Sequence, residues 1–573
     1  MMHRRRALWV TTVFALAFTG ISLKLVQVQL AQHEKYRRLA LENHGVKQQL
    51  PARRGGVVDA QGRMLIQTQF LYDVRLDAKI LDEEKRDVAR LAEVMGLREN
   101  DLRARINPLK RDQILLSKVD DNLVTRLKAL KIRGLIYQSL PVRVYPNFAH
   151  ASHVLGYLNE NGNGAMGVEK SMDRYLRGIS GERWIEKDRK GREIAVYRGA
   201  EIPAKDGYQV MLTVDLAIQH IVEDQLDKLV EKYRPLGVYS IVMRPRTGEI
   251  LAMGNRPTFD PNKREEFSRL EALRNRCITD QVEPGSIFKI VTTAAVLNEG
   301  LFSLDDTIFC ENGKFFYAGY WLHDHQPYGI LTVRQILQVS SNPGTVKMAL
   351  ELGADKLFAY AQAFGFGRAT GLLPGQAESA GVLRPVSTWS KVSVARIPIG
   401  QGVAASPLQM INALCAIANG GRLMQPQLIK RLDDEEGHPV QLMMPKVLRQ
   451  VISPKTAAGV TEAMTKVVGE GGTAPKAEIP GYDAAGKTGT AQKVVNGQYS
   501  KEKYVASFMG FFPAQNPEVA ILVMVDEPQG KEYYGGQVAA PAFAEIGAQI
   551  AQYLNIPPTK KRETAEEPQR AAL

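Results

Sequence analysis

Ser286 and Lys289 stand three residues apart in the stretch VEPGSIFKIVTTAAVLNEG, Val282–Gly300. On a helix that spacing puts a hydroxyl and an amine on one face. A serine hydroxyl is a poor nucleophile at neutral pH, and an unprotonated amine beside it can take its proton. Pro284 and Gly285 break the chain, and Ile287–Leu297 then reads as a helix apolar on nearly all sides, hence buried. Burial disfavours the charged form of a lysine, so its pKa falls and it can act as a base. A serine in the first turn lies beside backbone N–H groups that lack helical partners and suit an oxyanion. The same residues also describe an N-cap serine with a snorkelling lysine, and this stretch alone leaves both readings open.

Two further stretches supply matching chemistry. VSSNPGT offers Ser340 and Asn342, a hydroxyl and an amide two residues apart. AAGKTGTAQ places Lys487, Thr488, Gly489 and Thr490 on an expected strand. Glycine lets a ligand approach a strand closely. The lysine and threonines can hold a carboxylate while the strand backbone pairs with an extended peptide. A second Ser-x-x-Lys, Ser500–Lys503, sits in a short polar stretch and reads as surface loop.

The elements that must position these groups follow from the patterning. The chain has 573 residues, enough for two or three domains, with globular proportions of 45% hydrophobic and 24% charged residues. Its net charge is +13, but the basic runs are short, scattered and free of interleaved aromatics. That fits an anionic membrane surface and excludes a nucleic-acid stripe. The three cysteines, Cys277, Cys310 and Cys415, are widely spaced, allow at most one disulfide and form no Cys-x-x-Cys.

Residues 1–6 carry three arginines, and Ala7–Leu23 carries no charge. We expect a membrane anchor over 7–26 with its amino end in the cytoplasm and the rest of the chain outside. A cleaved signal peptide is the rival reading, with Ala15–Ala17 resembling a cleavage site. The stretch from about 27 to 50 reads as a stalk helix, 50–77 as strands around a glycine turn, and 79–135 as several helices. Residues 180–205 read as a polar junction. Beyond Gln209, strands at both ends of the sequence enclose a helical block at about 280–470. This predicts an α/β (α+β) domain with one antiparallel sheet and a helical subdomain. The final residues, 557–573, read as a disordered polar tail.

Ser-x-x-Lys, Ser-x-Asn and Lys-Thr-Gly, in that order, resemble the signature of the penicillin-recognising serine enzymes. PARRGGVVDAQGRML, RVYPNFAHASHVLGY and GAMGVEKSMDRYLRG resemble boxes of the non-catalytic module of class B penicillin-binding proteins. MRPRTGEILAMGNRPTFDPN and EPQGKEYYGGQVAAPAFAEI resemble the opening and end of their transpeptidase domain. The resemblance covers nearly the whole chain and is strongest to the division-type (septal) enzymes, with the elongation type as the alternative. It implies a pedestal module over 27–205 and a transpeptidase domain over 206–556.

The resemblance also implies a mechanism. Ser286 attacks the D-Ala–D-Ala carbonyl of a peptidoglycan stem peptide, presented on a lipid-linked precursor or nascent glycan, with Lys289 as base. Backbone N–H groups of Ser286 and Thr490 hold the oxyanion. Ser340 relays a proton to the departing D-Ala, and Asn342 binds the substrate amide and orients Lys289. Lys487, Thr488 and Thr490 hold the terminal carboxylate, and an amine from a second stem peptide resolves the acyl-enzyme. β-Lactams acylate Ser286 and leave slowly. No metal or organic cofactor is implied. The implied partners are the membrane, a polytopic glycan polymerase of the SEDS family and other division proteins.

One departure from the family pattern is Ile287, where relatives usually have Thr or Val. No Glu-x-x-Leu-Asn lies between Asn342 and Lys487, which argues against a class A β-lactamase. A carboxypeptidase, an antibiotic sensor and a catalytically silent division scaffold are the competing functions. Gly162–Gly167 matches G-x-G-x-x-G without the strand and βαβ context of a dinucleotide site. His323–His325 (HDH) reads as ordinary loop contacts rather than a metal site.

Overall fold

A computed structural model describes residues 2–36, 45–81, 87–110, 112–187 and 193–560. The described residues form two compact units. One comprises those up to Arg54 with Arg177–Gly207, the other Gly55–Leu176 with those from Tyr208 onward.

The first unit begins with the helix Met2–Val26, 25 residues long, or about 38 Å at 1.5 Å per residue. Arg4–Ala31 is long and apolar enough to cross a bilayer core of about 30 Å. Three strands follow in one antiparallel sheet: Gly45–Leu50, Gly181–Lys187 and Glu193–Ile202. The stalk helix expected to reach residue 50 is not found over Gly45–Leu50, which is a strand. Glycine is poor in helix interiors, and residues 45–50 pair with 181–186 instead. The junction expected over 180–205 is instead two strands, Gly181–Lys187 and Glu193–Ile202, that pair with each other, and the first of them also pairs with the distant Gly45–Leu50.

In the second unit β1 (Val57–Val58) and β2 (Met64–Leu76) turn about Asp59 and Gly62. Asp59 is fully buried and accepts from the N–H groups of Gln61, Arg63 and Leu216. β3 (Gln113–Val119) and β4 (Leu135–Val144) both pair with β2. Residues 113–119 lie in a region expected to be helical, but their pairing with β2 makes them a strand. Helices are present on either side, Asp87–Met95 and Asp121–Ala129.

β5 (Gln209–Leu212) lies parallel to β1, with Val210 opposite Val57. Helix α1 (Leu216–Tyr233) starts at the N-cap Asp215, and β6 (Gly237–Arg244) and β7 (Glu249–Arg256) form the expected hairpin. The helical block holds α2 (Lys289–Asn298), α3 (Val333–Val339), α4 (Asn342–Leu352) and α5 (Pro407–Ala418). β8 (Ile429–Asp433) and β9 (Pro439–Leu442) then return to the first sheet, whose order is β9-β8-β5-β1-β2-β3. This one sheet draws its strands from residues 57 to 442.

After α6 (Pro454–Val468) come β10 (Ala485–Val495), β11 (Gln498–Phe512) and β12 (Val519–Asp526), then α7 (Ala540–Tyr553). They complete the second sheet in the order β7-β6-β12-β11-β10, antiparallel throughout. The near-continuous apolar runs of β6 and β12 follow from burial on both faces. Val238 and Val242 face a cluster with α1 and α7, while Tyr239, Ile241 and Met243 face the cluster that holds α2 and α5. β10 is an edge strand, paired on one side only. Cys277, Cys310 and Cys415 are buried free thiols.

Candidate active site

Ser286 enters the site on a 3-10 turn, Gly285–Phe288, which leads straight into α2. The turn needs Gly285 at φ 53°, a left-handed conformation that costs a glycine little. Gly285 N donates to the carbonyl of Gly400 at 3.1 Å, and a Cβ on Gly400 would lie 2.1 Å from the Gly285 carbonyl. Two glycines therefore let the serine turn and the 397–402 loop pack backbone to backbone.

One turn on, Lys289 is fully buried. Its Nζ donates to the Ser340 carbonyl at 2.5 Å, to Asn342 Oδ1 at 2.6 Å and to Ser340 Oγ at 3.1 Å. Among the described residues no hydrogen bond joins Lys289 to Ser286. Catalytic contacts of a free enzyme often tighten only when substrate arrives. Burial lowers the Lys289 pKa to about 7, against an opposing pull from the Asp324 carboxylate. An amine that loses its proton near neutrality can serve as a base, which an ordinary lysine cannot.

Ser340 sits where α3 ends and α4 begins, at φ 61°. That left-handed joint is strained for a residue with a side chain. It is held because Ser341 caps α4 through Gly344 N and because Asp324 grips the same turn. Asp324 accepts from Ser341 Oγ at 2.7 Å and from Asn342 N at 2.6 Å. Asn342 Nδ2 in turn donates to the His323 carbonyl at 2.7 Å, leaving Oδ1 for Lys289. Asp324 was thus missed by reading His323–His325 as a bland loop. Its charge, 18 residues from Asn342 in sequence, gave no local signal.

Lys487 reaches the same point from the sheet. It too is fully buried, and its Nζ donates to Ser340 Oγ at 3.0 Å. Ser340 Oγ thus lies between two amines. Burial first, and then the Lys289 charge, push the Lys487 pKa well down. Thr488 Oγ1 is 2.9 Å from Thr473 Oγ1, a hydroxyl outside the sequence-derived set, and Thr490 Oγ1 accepts from Gly535 N at 3.1 Å. A Cβ on Gly489 would stand 2.3 Å from Ser507 Oγ and 3.0 Å from Ile287 Cγ1. Ile287 is buried beneath that strand, so the departure at this position fills core under Gly489.

The pieces meet in a cleft of about 710 Å³ lined by Ser286, Ser340, Asn342, Thr488 and Thr490, with Tyr534 on its far wall. Lys289 and Lys487 are fully buried and do not line it; both reach it through Ser340. The unpaired edge of β10 offers backbone N–H and C=O groups to an extended peptide. A hydroxyl on a helical turn, a near-neutral amine behind it, a second buried amine and hydroxyls along an edge strand together suit acyl transfer from a peptide carboxylate terminus.

Comparison with known proteins gives the same answer by another route. Residues 238–548 match the family described as the penicillin binding protein transpeptidase domain. Residues 49–212 match the penicillin-binding protein dimerisation domain. The chain is 33% identical over 565 residues to stage V sporulation protein D of Bacillus subtilis, covering 98% of this chain and 87% of that one. It is 32% identical over 521 residues to the peptidoglycan D,D-transpeptidase FtsI of Escherichia coli, covering 89% and 85% respectively. Among solved structures it resembles penicillin binding protein 3 of Mycobacterium tuberculosis complexed with aztreonam. There the TM-score is 0.70 at 28% identity, covering 90% of this chain and 99% of that one. Penicillin binding protein 2X of Streptococcus thermophilus shares the fold, with a TM-score of 0.78 at 24% identity over 88% of this chain and 80% of that one.

Proposed function

We propose, on the premise that this chain belongs to the penicillin-binding transpeptidase family, that it crosslinks peptidoglycan as a serine D,D-transpeptidase acting through Ser286. The observation that carries the assignment is the convergence of Lys289 and Lys487 on Ser340, with Asn342 holding Lys289, beside a free strand edge.

In this reading a stem peptide pairs with β10, its terminal carboxylate held by Lys487, Thr488 and Thr490. Lys289 takes the Ser286 proton as Oγ attacks the penultimate D-Ala carbonyl. The N–H groups of Ser286 and Thr490 receive the oxyanion, each such donor contributing about 3 kcal/mol. Ser340, bridging the two amines, passes a proton to the departing D-Ala nitrogen. Asn342 holds both the substrate amide and Lys289. The amine of a second peptide then attacks the ester and frees Ser286. Incubation with a D-Ala–D-Ala peptide and a labelled amine tests this. A crosslinked product formed with release of D-Ala is expected, while release to water alone would make the protein a carboxypeptidase.

Asp324 is a positioning residue in this scheme. Its replacement strands the Ser341 hydroxyl and the Asn342 N–H, and loosens the Asn342 grip on Lys289. Asp324→Ala should slow penicillin acylation about tenfold, the size of one buried unsatisfied donor. Because the Asp324 charge raises the Lys289 pKa, its loss should also move the acid limb of the rate profile to lower pH. A slower variant with an unmoved profile would reduce Asp324 to a structural role.

We further propose that residues 27–205 serve as the pedestal module, and that the helix Met2–Val26 is a single-pass anchor with Arg4–Arg6 inside and the catalytic unit outside. We propose septal action, on the motif order and the likeness to FtsI, beside a polytopic glycan polymerase of the SEDS family. A fluorescent fusion confined to midcell is expected, and a lateral-wall pattern would assign elongation instead.

A further inference from the structure

A second cavity of about 370 Å³ adjoins the catalytic cleft and shares two of its residues, Glu283 and Gln401. Its wall carries the guanidinium groups of Arg384 and Arg396. Among the described residues neither forms an ion pair with a carboxylate. Arg396 stacks its guanidinium on the Tyr320 ring at 4.3 Å, which fixes it without neutralising it. Its Nε is buried and has no hydrogen-bond partner in the protein, and the same is true of Gln401 Oε1 on the shared wall. The loop of Arg384 is fixed by Trp389 Nε1, which donates to the Arg384 carbonyl at 2.8 Å.

Glu283 does not cancel this charge by direct contact. Its Oε1 is occupied by Gly402 N at 2.8 Å and by the Tyr499 hydroxyl at 3.1 Å. These contacts tie it to the β10–β11 hairpin, where Gln492 Nε2 donates to the Ser500 carbonyl. Tyr499 pairs with Val494 of β10, beyond Gln492, so the shared residue Glu283 sits toward the Gln492 end of β10, away from the Lys487–Thr488 end. A peptide whose terminal carboxylate lies at Lys487 must run along β10 toward this cavity.

We infer that Arg384 and Arg396 form a carboxylate-binding subsite for the part of the donor stem peptide upstream of the scissile bond. The inference rests on the transpeptidase reading and adds to it a demand on the substrate: an anionic group N-terminal to D-Ala–D-Ala. Guanidinium groups pair bidentately with carboxylates, and two of them without an ion-pair partner on one cavity wall suit such a group.

Two synthetic peptides test this, both ending in D-Ala–D-Ala and identical except that one upstream carboxylate is free or amidated. D-Ala release is measured without an amine acceptor, so only the donor is present. The wild type should prefer the free carboxylate about tenfold, as expected for a charged hydrogen bond. The preference should collapse to within about twofold in Arg384→Gln/Arg396→Gln and return only in part in the double lysine variant, which restores charge without the bidentate fork. Equal rates with both peptides in the wild type, or a preference that survives the double glutamine change, would overturn the inference. Arg384→Gln alone alters an exposed residue and gives the same comparison if the double variant does not fold. Wild-type acylation by penicillin separates the two levels. Failure to acylate would sink the transpeptidase reading, whereas acylation without carboxylate preference would sink only the subsite.

Discussion

Ser286→Ala is expected to abolish covalent labelling by a fluorescent penicillin, with no adduct detectable by gel or by intact mass. The change removes one oxygen from a turn held by backbone contacts to Gly400, so the fold and the cleft should survive it. No other hydroxyl among the described residues occupies an equivalent position. Ser340 Oγ lies in the same cleft but is held between Lys289 and Lys487 at the strained helix joint. Ser500, in the other Ser-x-x-Lys, lies within β11 rather than in the loop its polar surroundings suggested, because residues 498–512 pair with β10; its Oγ accepts from Lys503 N. Labelling that persists in Ser286→Ala would therefore mean that the wrong serine has been named.

The second large effect belongs to Lys289. With a pKa of about 7, close to half of the protein carries a neutral amine at pH 7. At the ordinary lysine value only about one molecule in three thousand would. The acylation rate of the wild type should rise as pH increases through 7 and level off once Lys289 has lost its proton. The sign follows from the role: the neutral amine is the active form, so activity is lost on the acid side. Lys289→Met keeps the buried stem, removes the base and should lower the acylation rate about a thousandfold, within the range of general-base contributions. It should also erase the inflection near pH 7. A flat wild-type profile between pH 6 and 8 would place the base elsewhere.

How far the sequence led depended on the range of the signal. Ser286 with Lys289 is a local pattern, visible because helical spacing and an apolar helix coincide. The second half of β11 and all of β12 were legible because both faces are buried, which leaves long apolar runs. The strand at Gln113–Val119 was not, since its neighbours are helices and its partner β2 lies about forty residues away. Gly45–Leu50 failed for the same reason, since its partner lies at 181–186, and the strands over 181–202 failed because they are polar and glycine-bearing and give little local pattern. Asp324 and Thr473 matter only through what they touch. No spacing rule joins Asp324 to Asn342 or Thr473 to Thr488, so geometry alone reveals them.

The sheet β9-β8-β5-β1-β2-β3 bears on how the chain is made. β5 lies between β1 and β8, with Val210 facing Val57 on one side and Leu432 on the other. Synthesis runs from the amino end, so β1 and β2 emerge long before Ile429–Asp433 exists. Until then β5 keeps an open edge, and the early half of the unit stays unfinished while the whole catalytic block is still arriving. Such late, non-local closure slows folding and exposes strand edges to mispairing. The nascent chain thus passes through a stage in which a chaperone has a defined target, the β8-facing edge of β5. Truncations ending before residue 429 should be the forms most prone to aggregate and to proteolysis.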